Sequence, residues 1–255
     1  MINTLIELIK QTKVIATDRG SARDIEVKGL ADFVTKVDMR IQEFMRTRLG
    51  ELYPDIQFMS EEKDNADIDF GGKVWVLDPI DGTANLIHDY KMSAVSLGLL
   101  DNGKPVLGIV YNPFTEEMFY AGSGQGAFLN GTPISVTDAD ELTASLISVG
   151  TSPYRKDLAD VNFDLIKRFY LASEDIRRGG SAALDLCYIA AGRTDGFFER
   201  DLKPWDYTAG IVIVREAGGI VTDMEGNEPK YDRPSDIVVS NGRIHNAMLG
   251  IINNQ

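Results

Sequence analysis

The chain has 255 residues, 44% hydrophobic and 25% charged, enough to bury a large core as one broad domain or two small fused ones. Its formal net charge of −13 argues against nucleic acid and anionic membranes as partners, and repels phosphorylated metabolites unless a local cation intervenes. The single cysteine, Cys187, excludes an internal disulfide and a cysteine-built zinc site, and its apolar surroundings read as those of a small buried hydrophobe.

Ile2, Leu5, Ile6 and Ile9 recur at helical spacing and predict a first helix rather than a signal peptide. No apolar stretch approaches the length of a membrane span, so a cytoplasmic location is expected. Ile41, Phe44, Met45 and Leu49 predict a second helix starting after Asp38. Residues 74–77 read as a buried strand that stops at Pro79. Residues 94–100 and 106–111 flank Asn102-Gly103, the residue pair a tight hairpin prefers, and 117–121 adds a third strand. The glycines of 122–126 follow a hairpin and predict a turn, not a dinucleotide fingerprint.

The second half alternates. It predicts a strand over 144–149, a helix over 157–170, and a helix capped by Ser181 that runs to Gly192. A short strand follows over 196–199, then an apolar helix over 207–217 begun by Asp206. Strands near 220–222 and 237–240 and a helix near 244–252 complete the chain. Early hairpins and later strand–helix alternation predict layered sheets and helices.

The chemistry concentrates in acidic residues. Glu61 and Glu62 follow an apolar segment, Asp78 closes the 74–77 strand, Asp81 comes three residues later, and Asp206 lies far downstream. Asp78 and Asp81 bracket a turn, and carboxylates held close repel unless a cation lies between them. Oxygen-only ligands suit a hard cation such as Mg²⁺, which takes phosphate oxygens as further ligands. Gly82 lets its backbone N–H approach a phosphate, and a helix opened by Thr83 would add a positive end. Each feature alone has a plainer reading. Asp78-Pro79 and Asp81-Gly82 are common turn pairs, Glu61-Glu62 is a solvated charged pair, and Asp38 and Asp206 can cap helices.

Together these residues fit one pattern. Trp75-Val76-Leu77-Asp78-Pro79-Ile80-Asp81-Gly82-Thr83-Ala84-Asn85 resembles the first signature of the inositol monophosphatase family. Trp205-Asp206-Tyr207-Thr208-Ala209-Gly210, ending in Glu216-Ala217-Gly218-Gly219, resembles its second. Val34-Thr35-Lys36-Val37-Asp38, Ser60-Glu61-Glu62, Ile176-Arg177-Arg178-Gly179-Gly180-Ser181-Ala182-Ala183 and Gly196-Phe197-Phe198-Glu199 fall in the family's order, so the resemblance covers nearly the whole chain. Thr208 departs from the small Ala or Cys usual there, Leu86 from a frequent Phe, and the 28–38 segment is short.

The resemblance implies one phosphatase domain over 1–255, with parts at roughly 1–140 and 141–255, and a homodimer. The implied fold is a five-layer αβαβα sandwich with mixed and antiparallel sheets. It implies two to three Mg²⁺ ions and lithium sensitivity. Glu61, Asp78 and the Ile80 carbonyl would hold the first ion, Asp78, Asp81 and Asp206 a second, and Glu61 with waters a third. Thr83, hydrogen-bonded to Asp38, would orient the attacking water. Glu61 completes the catalytic set. Gly82 and Thr83 would bind phosphate, Ala182 and Glu199 would meet hydroxyls of the alcohol, and Asp206 would touch both metal and substrate. The implied substrate is a small phosphorylated metabolite, first of all myo-inositol monophosphate. Fructose-1,6-bisphosphatases and NADP or nucleotide phosphatases share the superfamily. A non-catalytic sugar-phosphate-binding regulator is the reading from another class, and the intact set of Glu61, Asp78, Asp81, Thr83 and Asp206 argues against it.

Overall fold

Helix α1 (Ile2–Lys10) buries Leu5, Ile6, Leu8 and Ile9, the face its sequence spacing predicts. The coordinates form a computed structural model that describes residues 1–29 and 32–253, with every side chain there except those of Lys28 and Asp32. Two single turns follow, α2 (Lys13–Ala16) and α3 (Arg19–Ala22). A hairpin of β1 (Ile25–Gly29) and β2 (Asp32–Thr35) then leads into the long helix α4 (Lys36–Leu52). Residues 30 and 31, within the segment that is short for the family, lie outside the described residues.

A seven-stranded sheet comes next. Its strands are β3 (Gln57–Ser60), β4 (Lys73–Asp81), β5 (Ala94–Asp101), β6 (Lys104–Asn112), β7 (Glu117–Gly122), β8 (Ala127–Leu129) and β9 (Thr132–Ile134), lying side by side in that order. The short helix α5 (Thr83–Ile87) interrupts the run after β4. β3 and β4 are parallel and the remaining pairs antiparallel. Alternation sorts the side chains by face. Trp75 and Leu77 pack with Leu5, Ile9, Ile41 and Met45 of α1 and α4, whereas Val74 and Val76 face the opposite core.

The chain crosses once to a five-stranded sheet. In chain order it runs β10 (Leu146–Val149), α6 (Ala159–Ala172), β11 (Asp175–Arg177), α7 (Ala182–Ala190), β12 (Gly196–Leu202), α8 (Pro204–Glu216), β13 (Ile220–Asp223), β14 (Ser235–Ser240) and α9 (His245–Asn253). The strand order is β11-β10-β12-β14-β13, parallel among the first three and antiparallel in the rest. Helices α7 and α8 lie between the sheets. Leu186, Ile189, Tyr207 and Ile211 share a core with Val76 and Phe119 of one sheet and Phe197 and Val239 of the other. Leu165 and Phe169 of α6 and Met248 of α9 cover Ile147, Phe198 and Val238 on the far face. The order of layers is therefore α, β, α, β, α.

Two glycines let α8 lie close to the first sheet. Gly98 and Gly108 are direct cross-strand partners on β5 and β6. A Cβ on Gly98 would stand 2.6 Å from the Thr208 methyl, and one on Gly108 would overlap the backbone carbonyl of Ala209. The hydroxyl of Thr208 is satisfied by donating to the Pro204 carbonyl at 2.5 Å.

Several predicted boundaries move. β4 does not stop at Pro79 but continues to Asp81, because the proline falls in a bulge where no ladder N–H is needed. Helix α8 begins at Pro204, where a missing N–H costs nothing, rather than at Asp206. Helix α4 begins at Lys36, before Asp38. The glycines of 122–126 do form a turn, and the Glu216 carboxylate accepts from Gly124 and Gly126 N–H at 2.8 Å each. Cys187 is fully buried, as expected.

Candidate active site

Four acidic side chains reach one place by separate local devices. β3 and β4 pair in parallel, and the pairing extends one step when Glu61 N–H donates to the Leu77 carbonyl at 3.3 Å. That step sets Glu61 beside Asp78. On a regular strand Asp78 and Asp81, three residues apart, would point to opposite faces. The bulge removes the mismatch: Asp78 opposes Ser96 while Asp81 opposes Ala94, so β4 spends three steps where β5 spends two. Both carboxylates then face one side, and Ile80 points into the opposite core.

Asp206 arrives from the first turn of α8, where its Oδ2 accepts the Lys203 N–H at 2.7 Å. Ser96 Oγ ties that turn to β5 by donating to the Trp205 carbonyl at 3.3 Å. One carboxylate oxygen each from Asp78, Asp81 and Asp206 lie within 4.8 Å of one another. Burial pushes the Asp78 and Asp206 carboxyls well above the usual carboxylate range, and the neighbouring acids Glu61 and Asp81 push both further. Burial likewise raises Asp81 to about 6, against hydrogen bonds that hold it down. Those bonds come from Ser181 Oγ at 2.5 Å and Ala183 N–H at 2.7 Å. Like charges crowded in a buried, all-oxygen donor set fit a hard divalent cation.

Gly82 follows at φ 86°, a conformation that favours glycine. A Cβ there would also press on the Met92 carbonyl at 2.9 Å. Thr83 does open a helix, α5, the condition on which the added positive end depended, though five residues make a weak dipole, so the turn offers individual N–H groups more than a helix end. Thr83 Oγ1 has Asp38 Oδ1 at 3.2 Å and the Ile80 carbonyl at 3.1 Å as alternative acceptors. Asp38 is completely buried behind it. Its Oδ2 accepts the N–H and hydroxyl of Thr35 at 2.9 and 2.5 Å, and burial raises it to about 6.

A cavity of about 460 Å³ gathers the predicted set: Glu61, Asp78, Ile80, Asp81, Gly82, Thr83, Ala182, Glu199 and Asp206 all line it. Asp38 is not in the wall; it lies behind Thr83, whose hydroxyl reaches it. The cavity also draws in residues to which no sequence reading gave a role. Phe33, Tyr154 and Trp205 give it aromatic walls, and Arg178, Lys203 and Asp185 add charge. Ser181 was legible only as a helix cap; its bond to Asp81 spans 100 residues of chain.

The profile of the inositol monophosphatase family matches residues 1–255. The chain belongs to the inositol monophosphatase family. Among curated relatives, the Nus factor SuhB of Escherichia coli K12 is 39% identical over 222 residues, covering 87% of this chain and 83% of that protein. Inositol-1-monophosphatase of Synechocystis is 39% identical over 230 residues, covering 90% and 80%. Among solved structures, the inositol monophosphatase of Thermotoga maritima superposes with a TM-score of 0.90 at 33% identity, covering 99% of this chain and 96% of that one. Family membership accounts for the layer order. The departures are absorbed locally: Thr208 by Gly98, and Leu86 by burial, as the core-facing residue of α5.

Proposed function

We propose that this protein hydrolyses a small polyol phosphate monoester, of which myo-inositol monophosphate is the type, with Mg²⁺ as cofactor. One observation carries the reading: three buried carboxylates within 4.8 Å share a cavity wall with a hydroxyl linked to a buried Asp. Asp78, Asp81 and Asp206, with Glu61 and the Ile80 carbonyl, would hold two to three ions. Mg²⁺ bound there supplies positive charge against phosphate oxygens and makes water more acidic. This resolves the conflict between a net charge of −13 and an anionic substrate.

The chain's own groups do the rest. Gly82 and Thr83 N–H groups bind the phosphate. Thr83 Oγ1 orients a water for in-line attack on phosphorus and passes its proton toward Asp38, whose raised basicity suits it to receive one. The phosphorus–oxygen bond to the alcohol breaks, the departing alkoxide takes up a proton from solvent, and Asp38 returns to solvent the proton it received, leaving the alcohol, hydrogen phosphate and the Asp38 carboxylate. Ala182 and Glu199 hold the alcohol's hydroxyls, and Asp206 lies between metal and substrate. The partners proposed are a phosphorylated metabolite in the cytoplasm and a second copy of the chain. Among the described residues no helix is long and apolar enough to cross a membrane.

The test is phosphate release from inositol, fructose, adenosine and NADP phosphates, with and without Mg²⁺. Turnover of inositol phosphates that chelation abolishes and Mg²⁺ restores is the expected result, with inhibition by lithium. Preference for a fructose bisphosphate or an NADP phosphate would move the chain to a sister activity. The relative named Nus factor SuhB favours a second reading, a regulatory role on the same fold. No turnover of any phosphate in saturating Mg²⁺ would leave that reading standing.

A further inference from the structure

Glu199 is buried in the cavity wall, and the loop that follows β10 is shaped around its carboxylate. β10 pairs with β12 up to Val149 and Phe198. Gly150 extends that pairing by donating its N–H to the Phe198 carbonyl at 2.9 Å, which pins its backbone. A Cβ on Gly150 would fall on the Glu199 carboxyl carbon and Oε2. Two residues later Ser152 adopts φ 45°, uncommon for a residue with a side chain, and aims its N–H at Glu199 Oε1, 2.8 Å away. The Ser152 hydroxyl holds that geometry by donating to the Arg200 carbonyl at 2.7 Å. Asn162 Nδ2 adds a bond to the Thr151 carbonyl at 3.3 Å.

We propose that Gly150 is a positioning residue for the substrate's alcohol portion: the missing side chain lets Glu199 lay its carboxylate against the 150–152 loop and so sets the preference for polyol phosphates. The inference rests on the reading that Glu199 meets the alcohol's hydroxyls. The collision that Gly150→Ala creates would not be shared equally. The backbone is held by the sheet, whereas the opposing atoms are the free end of a long side chain. Glu199 is therefore the part that moves, and it leaves the Ser152 N–H without its acceptor.

The experiment compares kcat/KM for myo-inositol 1-phosphate and p-nitrophenyl phosphate in the Mg²⁺-loaded protein and in Gly150→Ala, Glu199→Ala and the double variant. Gly150→Ala is expected to lower the inositol-to-aryl ratio by about 10-fold or more, mainly through KM for the polyol substrate. Glu199→Ala should lower it by a similar factor. The double variant should be no worse than Glu199→Ala, because the group that collides is already gone. A wild-type ratio in Gly150→Ala, with a lowered ratio in Glu199→Ala, would overturn the positioning role alone. A wild-type ratio in Glu199→Ala would overturn the reading of Glu199 and the proposal with it. If Gly150→Ala does not fold, the double variant decides. It should fold and show the Glu199→Ala ratio, and its failure to fold would reject Glu199 as the atom group that Gly150 accommodates.

Discussion

In the proposed mechanism Thr83 carries two separable functions on one residue: its N–H would bind phosphate, and its hydroxyl, which faces Asp38 and the Ile80 carbonyl, would orient the water. Thr83→Ala keeps the first and deletes the second. The single-turnover rate should fall by about 10²- to 10⁴-fold while Mg²⁺ titration stays close to wild type. A hydroxyl that only stabilised the turn would instead cost about 1 kcal/mol and leave the rate alone. Asp81→Asn removes one of three converging charges from the buried set. It should weaken Mg²⁺ binding in calorimetry and leave the metal-free melting temperature equal or higher, because repulsion with Asp78 and Asp206 is relieved. The sequence showed these residues because their chemistry is written in short motifs. It hid Ser181 Oγ on Asp81 and Gly150 under Glu199, because those partners lie about 50 to 100 positions apart and no local pattern marks them.

At the scale of elements, apolar periodicity revealed the strands and helices but not their ends. Pro79 looked like a stop, since a proline lacks the ladder N–H; only the register against β5 shows it inside a bulge, and that bulge brings Asp78 and Asp81 to one face. The short strands β8, β9 and β11 escaped because three residues are too few to show a period, and β1 because its alternation of Ile25 and Val27 with Glu26 and Lys28 holds only two apolar positions. The contact of α8 with β5 and β6 gives a prediction at this scale. Gly108→Ala presses on backbone that cannot yield and should cost about 3 kcal/mol or more in urea denaturation. Gly98→Ala presses first on the Thr208 methyl, so Thr208→Ala should restore part of its loss and none of that at Gly108.

For the whole molecule, the buried acids set the pH dependence. Asp38 and Asp81 rise from 3.8 to about 6 and Glu199 from 4.5 to about 7, chiefly through burial, and Asp78, Asp185 and Asp206 rise as well. Without metal, the folded protein therefore binds these protons more tightly than the unfolded chain. Its stability should fall as pH rises from about 4 to about 7. His245 works in the opposite sense. Its ring bridges Ser240 Oγ and Thr222 Oγ1 at 2.9 Å each, and burial lowers it below 6.5, so it contributes a loss as pH falls through that value. The acids outnumber it. Metal-free protein should melt higher at pH 5.5 than at pH 7.5, and Mg²⁺ should reduce or reverse the difference. Calorimetry near pH 6 in two buffers of different ionisation enthalpy should show protons released as Mg²⁺ binds.

The single crossing between sheets fixes an order of events during synthesis. The seven-stranded sheet is complete at Ile134, yet the helices that cover its inner face end only at Glu216. A ribosome adding about 5–20 residues per second takes several seconds to bridge that interval. Throughout it Val74, Val76, Val110 and Phe119 lack the α7 and α8 side chains that later bury them. The middle layer, which gives the finished protein its Asp206 and its Ser181 clamp, is thus what the growing chain lacks longest. A nascent chain halted between these points carries a finished sheet with one apolar face bare, the kind of surface that chaperones hold and that aggregates when they do not.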